Sequence, residues 1–288
     1  MNVMNTGGDA LDRNADEIVK EIGIPPCPAI LTKLLRETRA EEPDFRRVGQ
    51  LVGGDVALAS AVLKFANSPF YGLRTKAVSV QQALALLGLN TVTNLVTGLL
   101  LRQAFSGTAG PGMEAYWKAS MATSLISALV CRETWRGDSG IACTYGLFRD
   151  CGMPVMLQKF PIYADIFDGS ALTPGEPALE VENERYPTNH ARIGAQLARS
   201  WHLPESVCFA ILHHHDVPYP GDTLAQAEAG ALSLIATGFA AEQLYCAAVG
   251  AACPEWARAA GWALAELELT LDEFDALGAR VRASINHL

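Results

Sequence analysis

The chain predicts an all-α fold, and three observations carry that expectation. Alanine and leucine dominate apolar stretches that repeat at helical spacing. Apolar–polar alternation over strand length is scarce. Prolines, glycines and small polar residues punctuate the text at intervals that suit helix starts and stops. With 288 residues, half of them apolar and only 18% charged, the chain can bury a substantial core rather than stay disordered.

The elements follow in order. Residues 1–18 form an acidic, polar lead-in without the positive-then-apolar pattern of a secretion signal. In IGIPPCPAILTKLLRET, prolines precede a helical pattern. Asp44 opens the next segment, which breaks at Gly53-Gly54, and Asp55 caps the helix beyond. SPFYG and GLRTKAV read as a turn, Ser79 starts VQQALALLGL, and Asn90 starts TVTNLVTGLLLRQAF. Residues 19–107 therefore make one helical unit of about five helices. A second unit, 108–240, opens with the long helix MEAYWKASMATSLISALVCRET, and a helix pair or bent helix follows in CTYGLFRDCGMPVMLQKF. The Gly/Pro/Glu-rich stretch 168–187 reads as a loop with one acidic helical turn. Helices are expected in NHARIGAQLARSWHL, in PESVCFAILHHHDV and, after the loop VPYPGDT, in LAQAEAGALSLIATGFAAEQL. Residues 241–288 add C-terminal helices carrying Trp256 and Trp262, which complete the bundle or form an interface. The last helix opens with the capping box Thr270-Leu-Asp-Glu273.

The net charge of −9 argues against broad attraction to nucleic acid or an anionic membrane, and so favours a protein partner or no charged partner. No uninterrupted apolar run reads as long enough to span a bilayer. The seven cysteines are odd in number, widely spaced and without a CxxC pair, which suits free thiols in a reducing, cytoplasmic setting. No phosphate-binding glycine motif and no nucleophile elbow occurs.

Three of the six histidines stand together in AILHHHDV. Imidazole nitrogens are good ligands for transition metals, so the run suggests a metal site. Against that, consecutive helical residues point about 100° apart, so three cannot all serve one centre. The structural alternative places His213 or His214 inward on a hydrogen-bond partner and its neighbour outward.

The phrase LKFANSPFYG, followed by QALALLGLNTVTNLV, then YWKAS, GLFRD, NHARIGAQLARSWHLPESV and the histidine run, closely resembles the HDOD domain family over roughly residues 19–240. These are HD-related output domains of bacterial signalling proteins. The resemblance implies a helical unit packed on a bundle related to HD phosphohydrolases, whose histidines and aspartates hold divalent ions. Matched to that pattern, Ala119 stands where a histidine ligand belongs, and Arg149-Asp150 replaces the His-Asp doublet. Pro154 replaces a lysine, and Thr237 replaces the last aspartate. What survives is Asp150, His190 and one or two members of the run.

The resemblance thus implies a degraded site: a vestigial pocket of Arg149, Asp150, His190, His213 and His214, with Arg149 paired to Asp150 in place of a cation. No metal and no other cofactor is expected, His190, His213, His214 and Asp150 being the residual candidates. The expected function is a non-enzymatic regulatory module of bacterial signal transduction acting through protein contacts. No segment before 19 or after 240 reads as a complete partner domain, so it is expected to act alone or as a homodimer. Two other readings are a phosphohydrolase acting on a nucleotide or cyclic dinucleotide, and a sensor of a small anion lined by Arg149, His190 and His214. In the first unit, Lys64, Asn67, Phe70, Tyr71, Arg74 and Lys76 surround the FANSPFYG corner and could receive an acidic partner or phosphate.

Overall fold

In the computed structural model, residues 25–67, 75–107, 112–134, 136–167, 178–218, 224, 227 and 229–285 are described. Among them the secondary structure is helical throughout, without strands. Side chains that the sequence marks as caps do cap. Asp44 accepts from the amides of Arg46 and Arg47 at the head of α2 (Phe45–Gly53), which follows α1 (Ala29–Thr38). Asp55 accepts from Ala57 and Leu58 at the head of α3 (Val56–Ala66), and Ser79 from Gln82 at the head of α4 (Val80–Leu87). Each cap satisfies amides that a first turn leaves without a partner. The start expected at Asn90 moves by one residue, because Gly88, at φ +83°, ends α4 and α5 (Leu89–Ala104) begins directly.

The second unit is built on α6 (Met113–Thr134) and α7 (Ser139–Phe148), which pack along each other. Their approach is close at Gly146, where a Cβ would lie 2.9 Å from the backbone of Thr123 and Ser124. Of the two readings of this stretch, a helix pair or a bent helix, the structure has the pair: α7 stops, Arg149, Asp150 and Cys151 form the turn, and α8 (Gly152–Lys159) follows. After a 3-10 turn (Pro161–Tyr163) and α9 (Ala164–Phe167), residues 168–177 lie outside the described residues. The acidic turn expected in this stretch is instead a two-turn helix, α10 (Ala178–Arg185). Asn189 caps α11 (His190–Ser200), and α12 (Glu205–Leu212) follows it as an antiparallel partner.

α13 (Ala229–Val249) packs on α6, α7 and α12, and α14 (Trp256–Glu266) and α15 (Leu271–Ile285) pack on α13. The boundary expected after residue 240 falls inside α13, so the C-terminal helices continue the bundle. Trp256 stacks on Phe274 at 4.9 Å and Trp262 meets Phe239 edge-on, so both tryptophans work in internal packing. By length and composition Gly230–Val249 could cross a membrane, contrary to the reading that no run is long enough. Half of it is buried against neighbouring helices, as a core helix requires.

One apolar core runs through both units. Polar bonds also tie them: Asn94 on α5 donates to the Gly140 carbonyl at 2.6 Å, and Trp201 Nε1 donates to the Pro25 carbonyl at 2.9 Å. The first unit is thereby fixed to α7, the helix that leads into Asp150. The tightest crossing lies just beyond it. A Cβ on Gly152 would stand 2.0 Å from the His190 carbonyl oxygen, so α8 reaches α11 only because residue 152 has no side chain.

Gly152→Ala must therefore push the two helices apart. It is expected to cost about 2–3 kcal/mol in urea unfolding, as overpacked cores do. Gly261→Ala, where a Cβ meets open space on α14, should cost nothing or stabilise the helix.

Candidate metal centre

Three chain breaks deliver the site. Asp150 sits in the turn between α7 and α8, His190 is the first residue of α11, and His214 and His215 follow the end of α12. His190 is held by Glu182 of α10, a fully buried carboxylate. Its oxygens accept the His190 amide at 2.7 Å, the His190 Nδ1 proton at 2.8 Å and the Tyr163 hydroxyl at 2.6 Å. His214 Nδ1 donates to the Ile211 carbonyl at 2.7 Å, and His215 Nδ1 donates to Glu255, just before α14, at 2.7 Å.

With every Nδ1 proton directed outward, the three Nε2 atoms turn toward one point. His215 Nε2 lies 2.9 Å from His190 Nε2, which lies 3.2 Å from His214 Nε2. Asp150 Oδ1 stands 3.2 Å from His214 Nε2 and 3.7 Å from His190 Nε2. All four donor atoms fall within 4.8 Å of one another. Ligands around a tetrahedral ion bonded at about 2.0–2.1 Å are spaced about 3.4 Å apart, so the four atoms have the spread of a first coordination sphere. Imidazoles that have given their Nδ1 protons to carboxylates or carbonyls also present the lone pair and fixed ring that a metal requires.

Beside this cluster the Arg149 side chain is buried. It donates to Glu242 of α13 at 2.7 Å and lies 3.6 Å from Asp150. Burial works against its charge, but Glu242 and Asp150 outweigh that and raise its pKa well above the usual guanidinium value. Burial likewise opposes the Asp150 carboxylate, yet Arg149, then His214 and His190, hold it well below the usual range. Glu182 is also lowered, His190 overcoming the effect of burial. His190 is raised, because Glu182 and then Asp150 outweigh its burial. His215 is pushed well down, first by burial and then by the neighbouring His214, His190 and Arg149 side chains. The acidic surroundings thus favour positive charge on this spot, carried by a proton on His190 or by a bound cation.

A cavity of about 360 Å³ opens on the cluster, bordered by Ala119, Arg149, Asp150, His190, His215 and Glu242 among others. Ala119 is therefore where the resemblance places it, at the site and without a donor. Arg149 turns inward onto Asp150, as expected.

Two expectations need correction. His213 is outside the cluster: its ring packs on Phe209 and its Nδ1 pairs with Asp216 at 2.8 Å. His215 takes its place because α12 stops at Leu212, so helical spacing no longer separates the last two histidines. Thr237 is buried on α13 away from the cavity lining, and the α13 carboxylate facing the cavity is Glu242. Small apolar helical text carries no mark of register, which explains the slip. The donors that survive are Asp150, His190, His214 and His215, four groups that could together hold an ion.

In the first unit, Asn67 is committed internally, bonding both backbone groups of Ala77 at 2.7 and 2.8 Å. Phe70, Tyr71 and Arg74 lie outside the described residues, and Lys64 and Lys76 are exposed. Glu182, Tyr163, Glu242 and Glu255 were not singled out in the sequence.

Several known proteins share this architecture. Residues 24–217 match the HDOD domain. An uncharacterized Treponema pallidum protein is 28% identical over 202 residues, covering 68% of this chain and 39% of its own length; the chain thus spans well under half of that relative. A Geobacter sulfurreducens HDOD domain protein of unknown function superposes with a TM-score of 0.75 at 20% identity, covering 97% of this chain and 98% of its own. A Marinobacter aquaeolei protein provisionally called a signal transduction protein gives 0.72 at 20% identity, over 96% and 66%. A Shewanella amazonensis protein provisionally called a phosphohydrolase gives 0.70 at 20% identity, over 95% and 93%. The family match covers most of the folded helices and all four converging donors, and the chain belongs to the HDOD domain family.

Proposed function

We propose that this chain is a regulatory module of bacterial signal transduction that works through contacts with a protein partner, holds one transition-metal ion on Asp150, His190, His214 and His215, and does not hydrolyse phosphoesters. The observation that carries this reading is a complete four-donor set lying beside a buried guanidinium. Three imidazoles and one carboxylate suit zinc, iron, manganese or nickel. When bound, such an ion supplies a fixed positive charge that offsets the inward-facing lone pairs. His190 and His215 make the need concrete: two ring nitrogens 2.9 Å apart repel unless a proton or a cation lies between them. A proton can satisfy that pair, but four converging donors exceed what one proton can bridge.

Hydrolysis on paired metals needs a second cation about 3.5–4 Å from the first, bridged by shared ligands. Here Arg149 already occupies the side of Asp150 where a shared ligand would reach, and Ala119 offers no donor. The Arg149–Glu242 pair neutralises that half of the site without an exchangeable ion. The relative provisionally called a signal transduction protein agrees with a regulatory role.

A second reading, a sensor for a small anion, is favoured by one detail. Arg149 borders the cavity, and its Nε is buried without a hydrogen-bond partner. Arg149→Met should then abolish anion binding measured by calorimetry, whereas under the first reading there is none to lose.

Elemental analysis of the purified protein should find about one transition-metal ion per chain, since a three-imidazole, one-carboxylate set is a strong site. His190→Ala and His215→Ala should each lower that content at least about tenfold, and His213→Ala should leave it unchanged. Content near zero in the unaltered protein overturns the metal assignment. Hydrolysis of bis(p-nitrophenyl) phosphate that disappears in His190→Ala overturns the non-enzymatic reading.

Restoring donors gives a separate check. Ala119→His combined with Arg149→His is expected to raise the metal content from about one toward two ions per chain, because it replaces a repelling cation with ligands. Unchanged stoichiometry in a folded double variant would mean that Arg149 does not stand in for a second ion.

A further inference from the structure

A larger cavity, about 460 Å³, lies where the first helical unit meets the second. Its floor is apolar, made by leucines of α5, Leu147 of α7, and Met121 and Trp117 of α6. Its rim is cationic, with Lys64 from α3, Arg102 from α5 and Lys118 from α6. Glu114 is the one carboxylate among the described lining residues, and it is already bonded to Arg102 at 2.6 Å. Three cations thus face one carboxylate on a chain whose net charge is −9. Both lysines are exposed, so their stems can lie along the apolar wall while their ammonium groups reach a charge at the mouth.

Pockets of about 300–1,000 Å³ with apolar walls and a few convergent polar groups are the usual form of small-molecule sites, and they favour junctions between structural units. We propose that this cavity binds a small amphipathic anion, its apolar or aromatic body against Trp117, Met121 and Leu147 and its anionic head between Lys64 and Lys118. An uncharged apolar ligand would leave the lysines unused, and a simple inorganic anion would leave the apolar floor wet. A protein segment would need an extended groove, whereas this is a pocket between helices. The proposal does not depend on the metal centre, whose cavity is lined by other residues of α6.

A matched pair of probes tests it on the full chain. 8-Anilinonaphthalene-1-sulfonate has an aromatic body and one anionic group, and N-phenyl-1-naphthylamine is the same body without the charge. Fluorescence titration and calorimetry should show one saturable site, with the sulfonate bound at least about tenfold more tightly, as one charge-assisted contact warrants. The double change Lys64→Ala and Lys118→Ala, on exposed positions that leave the fold intact by circular dichroism, should erase that advantage and leave the uncharged probe unaffected. Met121→Trp, which fills the floor, should remove both. Absence of saturable binding, equal affinity for the two probes, or sulfonate binding indifferent to these changes would each overturn the proposal.

Discussion

Where the Nδ1 protons of three histidines go decides the character of this site. A neutral imidazole has one proton and one lone pair, so a ring that donates from Nδ1 must present its lone pair at Nε2. Glu182, the Ile211 carbonyl and Glu255 accept hydrogen bonds from the three Nδ1–H groups and so turn three lone pairs inward. Much of the second unit maintains that arrangement. α10 exists to place Glu182, and the Tyr163 hydroxyl and the His190 amide complete its bonding. A buried carboxylate with so many donors is affordable where an isolated one is not. The Gly152 crossing then brings Asp150 within reach of the same point.

What the sequence made legible was local or carried by a continuous phrase. The caps Asp44, Asp55, Ser79 and Thr270 act on amides within three residues, so a short window contains both partners. The family text located Asp150 and His190 and marked Ala119 as lacking a ligand. What escaped depended on distant pairing or on where a helix ends. Glu255 is forty residues from His215, and Glu242 is ninety-three from Arg149. Glu182 stands between Glu180 and Glu184, both exposed, in an acidic run that composition alone assigns to solvent. His215 was passed over for His213 because helical spacing was extended past Leu212, where the chain has already left the helix.

Helix α6 contributes residues to both cavities. On α6, Tyr116 and Ala119 border the histidine cluster while Trp117 and Lys118 border the junction pocket, since neighbouring helical residues face about 100° apart. On α7, Leu147 serves the pocket, and Arg149 just beyond serves the cluster. The Tyr116 hydroxyl also donates to the Asp150 carbonyl at 3.1 Å, a direct bond from α6 to the turn that carries a donor. α6 and α7 approach so closely at Gly146 that a side chain there would meet the α6 backbone.

Arg149 decides which charges at this site can be exchanged. A metal ion is exchangeable, and its presence depends on supply, but a guanidinium is covalently attached and stays protonated. Placing one between Glu242 and Asp150 makes half of the local charge permanent. It also ties α13 to the turn after α7, so the C-terminal helices help fix the position of Asp150. On the reading proposed above, only the histidine half remains open to exchange. The centre then has two states, loaded and unloaded, rather than the graded occupancy of a two-ion site. Catalysis loses its second ion by this exchange, while a regulator keeps one variable coupled to a rigid bundle. The physical reason is the same in both cases: a fixed charge cannot leave.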